Sequence, residues 1–270
     1  MNLPERNPVP AMIPLLRVGS IAALLFVGVA HAASPAAPAV IRNSELGVAF
    51  QTIDSGDNKN NSAGAFGQML FPLTSYLGAA VQGSVGHTNL LIDKVATTSG
   101  KVSCGYNTTA LGGELFARLP TVGKVSAAYT TSRISSQCEN NASFLGDGSS
   151  SFQSDGYTLS AEYYFPAVTL AASRSETSPD GTDSFTTDTV KATWYPVADL
   201  SLSPSVGRTR GVDSYGFTLE HQPDFLGRSL SLALSYVVQD QDEKISTLTL
   251  GFTYHFGTRV ELKVRDRQYR

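Results

Sequence analysis

The chain has 270 residues, 41% of them hydrophobic and only 16% charged, with a formal net charge of −3. An average soluble domain carries about 25% charged residues, so the composition suits a molecule with little solvated surface. The mild acidity excludes a basic nucleic-acid-binding surface, and no partner of that kind is expected.

Residues 1–32 read as a secretory signal peptide. Arg17 supplies the positive flank, Ile21 to Val27 opens the apolar core, and Ala30-His31-Ala32 places small residues where a peptidase cuts after Ala32. The apolar run from Ile21 to Ala30 is too short to span about 30 Å of hydrocarbon. Residues 33–44 follow as a flexible Pro/Ala-rich lead-in, containing SPAAPAV from Ser34 to Val40.

From residue 45 to 256 the chain alternates with a period of two, which predicts strands. Twelve are expected, at about 45–54, 62–71, 75–87, 107–118, 123–133, 157–165, 168–176, 185–195, 200–207, 212–221, 229–238 and 247–256. The last is the clearest. Leu248, Leu250, Phe252, Tyr254 and Phe256 share one face, and Thr247, Thr249, Gly251, Thr253 and His255 share the other. The second is ambiguous in phase, because Phe66 and Phe71 cannot share a face without a slip. In the ninth, Pro204 lacks a ladder donor and predicts a bulge or a gap.

Bulky-Pro pairs at Phe71-Pro72, Leu119-Pro120, Phe165-Pro166 and Tyr195-Pro196, and Gln222-Pro223, punctuate alternate connections. Those connections are predicted to be tight. The others, at 55–61, 88–106, 135–151, 177–184, 208–212 and 239–244, are polar and expected to be longer. Short turns on one rim and long loops on the other are the pattern of a transmembrane barrel, with the short turns in the periplasm.

A soluble sandwich or lipocalin-like barrel also alternates. Its outer face is rich in Lys, Glu and Arg. Here the polar face is Ser, Thr, Gly and Ala, and the bulky aromatics occupy the other face. The expected fold is therefore all-β: a transmembrane antiparallel up-and-down barrel of about twelve strands.

The charges predicted to line the lumen are Glu114, Arg118, Lys124, Glu162, Lys191 and Glu220, joined by Gln51 and Gln82. Two uses remain open: a polar pore tuned by these side chains, or a network closing a narrow lumen. No enzyme is expected. His87, His221 and His255 begin no His-x-Ser pattern, and His87 with Asp93 is a pairing that chance supplies easily. Neither cofactor nor metal is expected, since Cys104 and Cys138 have no further Cys or His at ligand spacing. In an exported chain these two cysteines, in neighbouring loops of one rim, are expected to form a disulfide. Residues 257–270, which are basic, read as a periplasmic tail with the fraying of an ordinary terminus.

The signal peptide, the alternating strands and the aromatic-ended strand from Leu248 to Phe256 resemble those of bacterial outer-membrane β-barrels. That ending is similar to the signal such proteins present to the assembly machinery, although here it is followed by 257–270. By strand number and size the chain resembles the small monomeric porins of Gram-negative bacteria, including the oligosaccharide-channel group. The resemblance implies an outer-membrane location, contact with membrane lipid, lipopolysaccharide and the assembly machinery, and passive transport of small polar solutes. The lumen charges are nearly balanced, unlike the basic lining of the oligosaccharide channels, so acidic sugars are not the expected cargo.

Overall fold

The computed structural model describes residues 43–55, 58–93, 101–119, 121–138, 151–241, 244–257 and 260–267. The signal peptide at 1–32 and nearly all of the lead-in lie outside them, as do parts of the loops expected at 88–106 and 135–151.

Twelve antiparallel strands close into one barrel, each paired with its sequence neighbours and β1 with β12. They are β1 (Asn43–Ser55), β2 (Asn58–Pro72), β3 (Leu77–Asp93), β4 (Lys101–Leu119), β5 (Gly123–Cys138), β6 (Ser151–Tyr164), β7 (Val168–Pro179), β8 (Phe185–Val197), β9 (Leu200–Thr209), β10 (Val212–His221), β11 (Leu230–Asp240) and β12 (Ile245–Phe256). Closure matters because an open edge in hydrocarbon would leave a row of unpaired backbone groups.

The alternation sets the two faces. Outward stand Leu46, Val48 and Phe50 on β1, Leu111 and Leu115 on β4, and Leu248, Leu250 and Tyr254 on β12, all exposed. Aromatic pairs sit at the tight-turn edge of this apolar belt. Tyr163 meets Phe165, and Tyr254 meets Phe256, each at 4.8 Å between ring centroids and edge to face. Tyr129, Tyr157, Tyr215 and Tyr236 are exposed nearer the opposite edge. An apolar belt between aromatic girdles is a lipid-facing surface; water would not tolerate a continuous patch of this extent.

Phe66 points inward and Phe71 outward, and β2 achieves this without a slip: its registers with β1 and β3 are unbroken. An aromatic is admitted inside because its partner on β1 is Gly47, where a Cβ would collide with the Phe66 ring. Phe116 lies over Gly78 in the same way and packs with Leu70 as a small buried apolar cluster. The β8–β9 ladder skips the position of Pro204. It runs through Lys191↔Ser205, resumes at Trp194↔Leu202, and shifts between Trp194 and Val197, beside Pro196.

The connections depart from expectation. The supposed polar loop at 208–212 is a two-residue turn, Arg210-Gly211, with φ of 50° and 82°; positive φ at both centres matches the twist of a hairpin. β3 and β4 continue pairing as far as Asp93↔Lys101, well into the loop predicted at 88–106. The strands consequently differ in length, from 19 residues in β4 to 10 in β9 and β10.

Cys104 and Cys138 are not loop residues. They lie on β4 and β5 in directly opposed register. Opposed antiparallel residues have Cα atoms about 4.5–5.5 Å apart, inside the range a disulfide spans. Protein taken from membranes under thiol-blocking conditions should carry no alkylated cysteine before reduction and two after it. The bridge should stabilise by about 2–4 kcal/mol. Two alkylated cysteines without reduction would leave β4 and β5 joined by the ladder alone.

Candidate functional site

The lumen has two unlike halves. From the level of the buried charges up to the loop rim its wall carries small hydroxylated side chains, which the inward phase of each strand places in cross-strand pairs. Ser126 and Ser160 are 2.7 Å apart, Thr158 and Ser175 2.9 Å, Thr187 and Thr209 2.9 Å, and Thr218 and Ser235 2.7 Å. Gly86, Ala110, Gly156 and Gly207 lie on the same inward face. These residues are too short to reach across a twelve-stranded bore, since about eight strands already enclose a space that side chains just fill.

Toward the tight-turn rim the lumen fills with charge. The six residues expected to line it all take inward positions, but five gather in this half. Lys124 Nζ forms an ion pair with Glu114 Oε1 at 2.8 Å, with both side chains almost fully buried. Arg118 and Glu162 are buried beside them, and Arg118 and Lys124 stand over the Phe116 ring at 5.0 and 4.8 Å. The Tyr164 hydroxyl donates to Glu162 at 3.2 Å. Glu220 lies on the far side of the mouth, on β10. Lys191 stands apart from these clusters, half-buried on the inward face of β8. Of the two expected amides, Gln51 accepts from Ser62 Oγ at 2.9 Å, and Gln82 faces Gly112.

What brings the second cluster together is the segment after β12. The expectation of a frayed tail fails for residues 260–267. A short helix, α1 (Leu262–Asp266), enters the mouth and buries Leu262, Arg265, Asp266 and Arg267. Arg265 Nη2 donates to Glu220 at 2.7 Å, and the Tyr195 hydroxyl donates to Asp266 at 3.2 Å. Lys263 N–H donates to the Ala198 carbonyl and Gln222 Nε2 to the Val260 carbonyl. Arg267 reaches Thr169 and the β6–β7 turn. Each such charge-assisted bond is worth about 1.5–3 kcal/mol, enough together to hold eight residues that would otherwise fray. Near this rim Arg228 clips two turns by donating to Asp199 at 3.1 Å and to Asp224 at 2.5 Å. Burial raises the Asp199 carboxyl above its ordinary value, against the pull of Arg228.

A third inward group escaped the sequence reading. His255 Nε2 is 3.2 Å from Ser231 Oγ, and its Nδ1 is 3.2 Å from Glu45 Oε2. The three come from β11, β12 and β1; β11 precedes β12 in the chain, and barrel closure brings β1 to its other edge. No local motif could announce them. The tail had left one trace: Val260, Leu262 and Val264 alternate with charges, the pattern of a segment that packs.

No family model matches the chain, and no curated protein matches it. Solved structures do, at the level of fold. An outer membrane channel from Pseudomonas putida F1 aligns with a TM-score of 0.58 and 13% identity, over 82% of this chain and 97% of that one. The translocator domain of the autotransporter NalP from Neisseria meningitidis gives 0.54 and 9%, over 88% and 94%. The KdgM porin, in complex with disordered oligogalacturonate, gives 0.50 and 8%, over 78% and 99%. The chain is thus folded as outer-membrane porin-like barrels are.

Proposed function

We propose that the protein is exported by its signal peptide, inserted in the outer membrane with the tight turns in the periplasm, and acts as a channel for passive diffusion of small polar solutes. The observation that carries this reading is the lumen wall of Ser, Thr, Gly and Ala, with hydroxyl pairs on β5–β7 and β8–β11 that run from the level of the buried charges to the loop rim. Such a surface solvates a polar solute while leaving it room to pass. Two of the similar barrels are described as a channel and a porin, which agrees with it. Solutes leave through the tight-turn mouth, and α1 stands in that mouth. Conduction therefore depends on α1 moving aside, and the resting molecule conducts little.

Planar-bilayer recording tests this. The wild type should give rare steps, and Glu220→Gln, which removes the carboxylate holding Arg265, should raise the open fraction several-fold. If neither protein ever gives a step, the channel reading falls and a closed structural barrel stands in its place.

A second reading, a serine hydrolase, has the Ser231–His255–Glu45 arrangement behind it, since a hydroxyl, an imidazole and a carboxylate in sequence form the usual activated nucleophile. Against it, Ser231 is 2% exposed and packs under the same mouth that α1 fills. The trio serves more simply as a buried histidine set between Ser231 and Glu45, joining three strands. Labelling of Ser231 by a fluorophosphonate would reverse that judgement.

A further inference from the structure

Arg267 occupies a pocket built by the barrel wall. The side chain is 1% exposed. Its Nε donates to Thr169 Oγ1 at 2.8 Å, and its Nη2 donates to the carbonyls of Phe165 and Val168 at 2.7 and 2.8 Å. The guanidinium carbon stands 5.2 Å from the Tyr164 ring centroid and 5.4 Å from that of Tyr195. Three acceptors set around a plane, with aromatic faces beside it, fit a guanidinium fork. An ammonium offers no such fork. Every group that makes this pocket belongs to β6, the β6–β7 turn, β7 or β8; α1 supplies only the occupant. Two residues away the same segment sets Arg265 against Glu220.

The charge of the wall agrees. Without α1, the inward ionisable groups named above are the carboxylates Glu45, Glu114, Glu162 and Glu220 against Arg118, Lys124 and Lys191, with His255. The excess is acidic by one carboxylate, not counting His255, and Arg265 and Arg267, less the buried Asp266, offset it while the segment is docked.

We propose that the tight-turn mouth is a guanidinium-binding site, filled at rest by the chain's own Arg267, and that it receives guanidinium-bearing solutes such as free arginine or arginine-ended peptides when α1 withdraws. This rests on the channel reading and names its solute class. Arg267 is tied to β12 by only the residues from 257 onward, so it competes at an effective concentration in the millimolar range. Only a solute reaching that concentration displaces it, which makes the docked segment a threshold on entry or exit.

Chemical rescue on the full chain in micelles tests the site without any ion flow. Leu262 is fully buried while α1 is docked, so chymotrypsin cleavage after Leu262 reports undocking. In Arg267→Ala this cleavage should rise about tenfold or more, as expected for loss of charge-assisted bonds. Methylguanidinium at about 10 mM, above the effective concentration of a tethered group, should restore protection. Methylammonium should not. In the wild type, L-arginine should speed the cleavage and L-lysine should leave it unchanged. This arm decides the matter even if Arg267→Ala does not fold. Thr169→Val should weaken the discrimination between the two cations. Equal action of both cations, or a wild type indifferent to arginine, would overturn the guanidinium site. If cation discrimination holds and no conductance is ever seen, the site stands and the channel reading alone fails.

Discussion

Lys124→Met should destabilise the barrel by about 3 kcal/mol or more, and Glu114→Gln added to it should recover a large part of that loss. Lys124 and Glu114 meet at 2.8 Å with side-chain exposures of 2% and 7%. Removing one partner of a buried pair leaves the other charged in a poor dielectric, which costs about 3–5 kcal/mol. Arg118, buried close by, takes up part of the Glu114 charge and keeps the loss toward the lower figure. The double variant holds two neutral side chains of similar volume, so the penalty of an orphaned charge disappears. Urea unfolding in lipid vesicles, followed by the mobility shift of folded barrels, gives the three free energies. Additive losses would mean that the pair does not interact in the membrane.

The second large effect is on the opposite face. Leu234→Arg should cost about 2–4 kcal/mol if the position lies near the midplane. Leu234 is exposed, midway along β11, and faces Leu250 on β12 within the apolar belt. Ala110→Arg, on the inward face of β4, should cost well under half as much, because its charge enters the aqueous lumen. Similar costs at both positions, measured in the same vesicles, would contradict the assignment of faces.

The faces were legible because period-two alternation carries its own phase: the Leu/Tyr/Phe rows of β11 and β12 leave one way to place them. β2 resisted because Phe66 breaks the rule that bulk points to lipid, and its licence comes from Gly47 on another strand. The six lumen charges could be named from parity, yet parity says nothing of height or rotation around the bore. Their separation into a Glu114–Lys124 cluster and a Glu220–Arg265 pair follows from shear and from α1. The segment after β12 misled because a basic run reads as solvated until its acceptors are known. Those acceptors, Thr169, the Phe165 and Val168 carbonyls and Glu220, are 45 to 102 residues distant in sequence.

The unequal strands have a geometric outcome. At about 3.3 Å per residue and a tilt near 40°, the nine-residue difference between β4 and β9 lifts one side of the rim roughly 20 Å above the other. A bilayer that reaches the Arg210-Gly211 turn is overtopped on the far side by β3, β4, β5 and β6, where His87, Asn89, Asn107, Arg133 and Gln153 replace the apolar residues on the outer surface. The opening is therefore cut obliquely, like a quill. On the channel reading, a solute would meet a parapet from one quarter and an almost flush sill from the other, and the low side would bring it within reach of lipid headgroups before the hydroxyl wall.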